Sequence, residues 1–90
     1  MAIIQSEKLI CVNAEEINFT GRDGSDIHKF KYTFLDPIGE LKEYYLDTND
    51  YVKDVVDIDG DEVKEEDFKT YRFEKKVYQG KTSKKLLPRN

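Results

Sequence analysis

The chain has one cysteine, Cys11, one histidine, His28, and no tryptophan. A lone cysteine cannot close an internal disulfide, so nothing in the sequence requires an oxidising compartment. Its apolar setting, Leu9-Ile10-Cys11-Val12, is that of a small buried hydrophobe. One cysteine and one histidine cannot supply a structural zinc site. Nucleophilic catalysis is short of parts as well. Any Ser–His–acid or Cys–His arrangement would have to use His28, which stands between Ile27 and Lys29 at the start of a strand-like run, as a surface or edge residue does. No apolar stretch approaches the roughly 20 residues of a membrane-crossing helix, and the first residues lack the basic flank and apolar run of a secretory signal. No GxxxxGK[ST] or GxGxxG phosphate cradle occurs. The expectation from these absences is a cytoplasmic domain that is not an enzyme and uses no metal or cofactor.

Ninety residues make one domain, 1–90. Apolar and charged residues are equally frequent, 38% each, which would suit partial disorder if they were spread evenly. Instead the apolar residues cluster in short alternating runs, and eleven are aromatic (five Phe, six Tyr), which argues for a folded core. Charge is also segregated. Residues 36–67 carry thirteen acidic and three basic side chains, whereas residues 69–90 carry one acidic and eight basic, within a net charge of −4. Such local fields steer partners more than the total does.

The runs read as strands. Lys8 to Phe19 has apolar residues on both faces near Leu9–Val12, the pattern of a long strand that bends to serve two sides of a barrel. Ile27 to Leu35 alternates, with Phe30, Tyr32 and Phe34 on the core face and Lys29, Lys31 and Thr33 opposite. Asp36-Pro37-Ile38-Gly39 has the residue preferences of a type I turn and leads into a partner strand, Glu40 to Leu46, in which only one of Tyr44 and Tyr45 can point inward. Between 47 and 67 the strand rhythm stops. Tyr51, Val52, Val55 and Val56 fit a helical stripe, and Asp59 with Glu62 resembles a capping pair, so one or two short helices are expected there. Thr70 to Tyr78 and Thr82 to Leu87 then form a basic hairpin, with Tyr71, Phe73 and Val77 on one face and Arg72, Glu74, Lys76 and Tyr78 on the other.

Three strands, a short helical segment and two strands give a mainly β domain. This is the element order of the five-stranded oligonucleotide/oligosaccharide-binding (OB) barrel, with the helical segment between strands 3 and 4. The alternative is an α+β domain in which an open antiparallel sheet packs on one helix. The acidic run Asp57-Ile58-Asp59-Gly60-Asp61-Glu62 does not match a calcium loop, because an EF-hand starting at Asp57 would need glycine at Glu62 and glutamate at Phe68. Surfaces remain as the place for function. A basic track with exposed aromatic rings suits single-stranded nucleic acid, with Lys29, Lys31, Arg72, Lys76 and Lys84 on phosphates and Tyr45 and Tyr78 stacking on bases.

In the element order over Lys8 to Leu87, and in the stretches from Lys29 to Asp36 and from Tyr71 to Lys81, the chain resembles the small OB-fold single-stranded-DNA-binding proteins of phages and mobile elements. The resemblance implies a strand-coating, replication or recombination accessory role, in a homodimer, in bacterial or phage-infected cytoplasm. The acid-rich 36–67 segment departs from that pattern, since it repels phosphate wherever it lines a groove. It supports a second expectation: a protein-interaction module or inhibitor that docks a basic partner through 36–67.

Overall fold

The computed structural model describes residues 2–58, 60 and 62–89. Five strands, β1 (Ala2–Thr20), β2 (Asp26–Leu35), β3 (Leu41–Leu46), β4 (Lys69–Tyr78) and β5 (Lys81–Leu86), form one sheet in the order β3-β2-β1-β4-β5. Every ladder is antiparallel. The sheet curls into a half-barrel because β1 changes partners along its length. Ala2 to Leu9 pair with β4, and Ile10 to Thr20 pair with β2. A bulge between Cys11 and Asn13 marks the change, as an extra residue bends a strand and sharpens its twist. Leu9, Ile10 and Cys11 are all buried in succession there. Both faces of β1 are covered at the bend, as the doubly apolar Leu9–Val12 run predicts.

Alternation holds elsewhere. Tyr32 and Phe34 of β2 and Tyr71 and Phe73 of β4 are fully buried, and with Leu9, Cys11, Leu46, Tyr51 and Leu86 they make the core. Rings join the two halves of the curl: Phe34 lies 4.8 Å from Tyr71, and Tyr44 lies 4.8 Å from Phe73, at tilted angles typical of aromatic pairs. Of the adjacent tyrosines in β3, Tyr44 packs against the core and Tyr45 faces out. Val77, expected on the core face, is exposed, because the hairpin runs on past the last buried layer.

The helix expected in 47–67 does not form. The connection holds two single 3-10 turns, Val52–Asp54 and Glu65–Asp67. The stripe fails because only Tyr51 of it is buried; Val52, Val55 and Val56 are exposed, so no tertiary packing offsets the weak helix propensity of β-branched residues. With no longer helix among the described residues, the alternative of a sheet packed on one helix loses its second layer. Asp59 and Asp61, on which the capping pair and much of the acidic run fall, lie outside the described residues. The connection is pinned instead by backbone: Val56 N–H donates to the Cys11 carbonyl at 2.9 Å. The edge strands β3 and β5 approach each other across the open side of the curl, but no hydrogen-bonded ladder joins them.

Candidate nucleic-acid interface

The ladders sort every predicted site residue onto a face. In β4, Tyr71 and Phe73 point inward, so Arg72, Glu74, Lys76 and Tyr78 point outward. Phe73 pairs with Leu86, which is also buried, so the outward set of β5 is Lys81, Ser83 and Lys85. In register, Tyr78 stands beside Lys81, Lys76 beside Ser83 and Glu74 beside Lys85. The outer face of this hairpin thus carries four cations (Arg72, Lys76, Lys81, Lys85), one acid (Glu74) and a tyrosine that is 75% exposed. Glu74 engages Lys76 at 3.3 Å. Arg72, Lys81 and Lys85 make no direct salt bridge among the described residues, although the charge of Lys85 helps to lower the Asp47 pKa across a cleft.

Lys84 is elsewhere. It pairs with Lys75 on the opposite, inward face, and its ammonium sits 4.5 Å from the Phe73 ring centre and 5.2 Å from that of Tyr44. Glu7 faces it at 2.5 Å, with both side chains mostly enclosed. Burial alone would push the Lys84 pKa down; the bonds to Glu7 and Tyr44 outweigh it and hold the pKa above the ordinary value. The expectation of Lys84 on a phosphate contact therefore meets an ammonium already committed inside the mouth of the curl. Its strand, Lys-Thr-Ser-Lys-Lys-Leu, carries one apolar residue, so alternation in the sequence gives no facing for it.

Lys29, Lys31 and Tyr45 lie on the outer face of the other half. Lys31 is bracketed by Glu15 at 3.2 Å and Glu43 at 3.3 Å. Hydrogen bonds to those two carboxylates, with their charges, raise its pKa. Lys29 reaches Asp47 at 3.0 Å, an exposed pair of the kind that contributes little. That bond keeps the Asp47 carboxyl below its usual range. Tyr45 is 50% exposed and flanks Lys29 in an apolar hollow completed by Ile17 and Phe19. Phe19 was not singled out in the sequence; the bulge at Cys11/Asn13 shifts the facing of the residues beyond it and brings Ile17 and Phe19 outward.

The two halves meet at one cleft. Lys29, Tyr45 and Asp47 line one wall, and Lys85 and Pro88 line the other. Lys85 therefore belongs both to the hairpin's basic face and to the cleft that holds Lys29 and Tyr45. Arg72, Lys76 and Tyr78 gather on the hairpin, Lys29 and Tyr45 gather at the cleft, and Lys85 connects the groups. No helix among the described residues is long and apolar enough to cross a membrane. No cluster of three or more His, Cys, Asp or Glu among them is placed to hold a metal ion. Comparison of the chain with known protein families, curated proteins and solved structures finds no match.

Proposed function

We propose that the protein binds single-stranded nucleic acid, DNA in the first instance, along the outer face of β4–β5 and into the cleft between β5 and β3. The observation that carries this reading is the hairpin's outer face: four cations against one acid, with Tyr78 uncovered among them. Ammonium and guanidinium groups spaced along a strand track successive phosphates, and an exposed ring offers a stacking platform that any base can use. Through Lys85, the track continues into the cleft, where Lys29 and Tyr45 add one more charge and one more ring. Lys31, held between two carboxylates, and Lys84, enclosed with Glu7, lie outside the track, whereas the single exposed pairs Lys29–Asp47 and Lys76–Glu74 can be exchanged for phosphate. The reading also takes the half-barrel as OB-like, since the strand order and the approach of β3 to β5 are those a closing barrel needs. A strand-coating role in replication or recombination goes with such a ligand.

The test is fluorescence anisotropy of a labelled oligo-dT at a series of salt concentrations, with an oligo-U and a duplex of equal length beside it. With four to five cations on phosphates, the logarithm of the affinity should fall with the logarithm of salt at a slope of about −3, since each neutralised phosphate of a single strand contributes roughly 0.7. Absence of binding at low salt overturns the reading; equal affinity for the duplex removes the role given to Tyr78 and Tyr45.

A second reading has its own observation. Glu62, Glu65, Glu66 and Asp67 are exposed on the connection before β4, and Val52, Val55 and Val56 are exposed on the same connection. That is the composition of a surface that docks a basic protein. Reversing Glu62, Glu65 and Glu66 to lysine separates the readings: oligo-dT affinity should hold or rise, whereas a protein partner captured through this segment should be lost.

A further inference from the structure

We infer that the cleft between β3 and β5 takes a guanine base, with Asp47 reading its Watson–Crick edge. The inference rests on the single-strand reading above and names the base which that site prefers. Tyr45, Asp47, Lys29 and Lys85 line the cleft together, and its volume is about 170 Å³. A cavity of about 150 Å³ holds one benzene ring, so the space suits a single base. Tyr45 and Asp47 stand two residues apart at the end of β3, roughly 7 Å at the spacing of an extended chain. That separation sets the carboxylate beside the Tyr45 ring and not under it. The edge of a base stacked on the ring lies on that side, and unstacked bases are read through such edges.

Asp47 is the only acid lining this cleft among the described residues, against two lysines. One of its oxygens accepts from Lys29 at 3.0 Å, and the other has no hydrogen-bond partner among the described residues. The Lys29 bond and charge, with the charge of Lys85, hold its pKa below the ordinary carboxylate range, so it is ionised at neutral pH. When a phosphate takes Lys29, this carboxylate loses its cation and stands next to a polyanion. A ligand that brings donors of its own offsets that loss. Guanine places N1–H and N2–H side by side, and two parallel N–H groups match the two oxygens of a carboxylate as the arginine fork does. Thymine has one N–H between two carbonyl oxygens, whose lone pairs face the carboxylate. Adenine and cytosine each present one amino group next to a ring nitrogen that accepts. Affinity at this position therefore runs from guanine, the best, to thymine, the worst.

Anisotropy competition with oligo-dT carrying one substituted base near its centre tests this. A single guanine should raise affinity about tenfold, the low end for one bidentate base contact, because the cleft is open to water. Inosine keeps N1–H but lacks the N2 amino group, and should lose most of that gain. Asp47→Asn should abolish the guanine advantage and raise affinity for plain oligo-dT, since a repelling charge has gone. Its far-UV spectrum should match wild type, because Asp47 is exposed and its ion pair with Lys29 lies at the surface. Adenine is the control for stacking: a gain from purine stacking on Tyr45 alone is the same for adenine and guanine. Oligo-dT binding with no guanine advantage, an equal advantage for adenine, or a guanine advantage that survives Asp47→Asn overturns the inference and leaves the single-strand reading standing. Failure of every oligonucleotide to bind at low salt overturns both.

Discussion

Arg89 closes over Asp54 with both terminal guanidinium nitrogens, while Tyr71 donates its hydroxyl to the same carboxylate at 2.8 Å from inside the core. Asp54 is buried at the end of the Val52–Asp54 turn, and Lys69 stands 3.7 Å away. The guanidinium also lies 4.9 Å from the Tyr51 ring, and the Tyr51 hydroxyl donates to the Leu87 carbonyl. Together these contacts strap residues 87–89 across the β3–β4 connection and fix Pro88, a wall of the cleft.

Replacing Arg89 by alanine should cost about 2 kcal/mol, the scale of hydrogen bonds to a charged group. This is less than for a fully buried pair, because the guanidinium is half exposed and Tyr71 and Lys69 still face the carboxylate. Urea denaturation of wild type and variant checks this, with the change appearing in the midpoint and not in the slope.

The same carboxylate sets an acid limit. Burial pushes the Asp54 pKa up, but the bonds from Arg89 and Tyr71, with the charges of Arg89 and Lys69, outweigh it and leave the pKa below the ordinary value. A carboxyl whose pKa is lower folded than unfolded contributes stability above its unfolded pKa, about 3.9, and loses it as pH falls through the folded value. The melting temperature should drop steeply below about pH 4. Asp54→Asn should start lower at pH 7 and show a shallower acid limb in the same calorimetric series.

Removing Lys84 should destabilise the fold without weakening oligo-dT binding. Lys84→Met leaves the enclosed Glu7 carboxylate without its partner, at a cost of about 3 kcal/mol; adding Glu7→Gln should recover most of it, because an apolar or neutral pair avoids the desolvated charge. Affinity unchanged in the double variant, measured by anisotropy, is the expected result. A loss comparable to that of Arg72→Ala would return Lys84 to the binding track.

Tyr78→Ala should weaken oligo-dT binding by about 1–3 kcal/mol, the range for a lost stacking partner, with little effect on stability because the ring is largely uncovered. Tyr45→Ala should do the same at the other end of the track. Isothermal titration with oligomers of increasing length distinguishes them, since a short oligomer can reach only one ring.

Cys11 should be inert while the domain is folded. Desolvation by burial is the main cause that pushes its thiol pKa up to about 11, so thiolate is scarce at neutral pH and the sulfur is enclosed besides. Reaction with a disulfide reagent should be slow in buffer and complete within the dead time in denaturant.

Much of this fold was legible in alternation alone. Phe30-x-Tyr32-x-Phe34 and Tyr71-x-Phe73 each mark one face, and the ladders place them on the inner side of the curl. Asp36-Pro37-Ile38-Gly39 turns as its residue types demand: Gly39 N–H donates to the Asp36 carbonyl at 3.0 Å, and the Asp36 carboxylate accepts from the amides of Ile38 and Glu40. Facing failed where a segment carries too few apolar residues to vote. Lys84 turned inward because Leu86, two positions on, is the only anchor in β5. The choice between Tyr44 and Tyr45 was invisible because it follows from the β2–β3 register, which sets Tyr44 beside Tyr32. The Arg89–Asp54 strap could not be seen either, since two residues that far apart in sequence meet only after the sheet has curled.

The bend in β1 also governs the order in which the chain can assemble. One half of that strand needs only the next turn to find β2, but the other half must wait for residues from the far end of the chain, with Ala2 meeting Lys76. Closing so long a loop before any pairing rewards it makes this the slow step, so refolding should fall in the millisecond-to-second range of non-local β topologies. The expected order is that the local meander β1–β2–β3 and the β4–β5 hairpin pair first and the hairpin docks on β1 last.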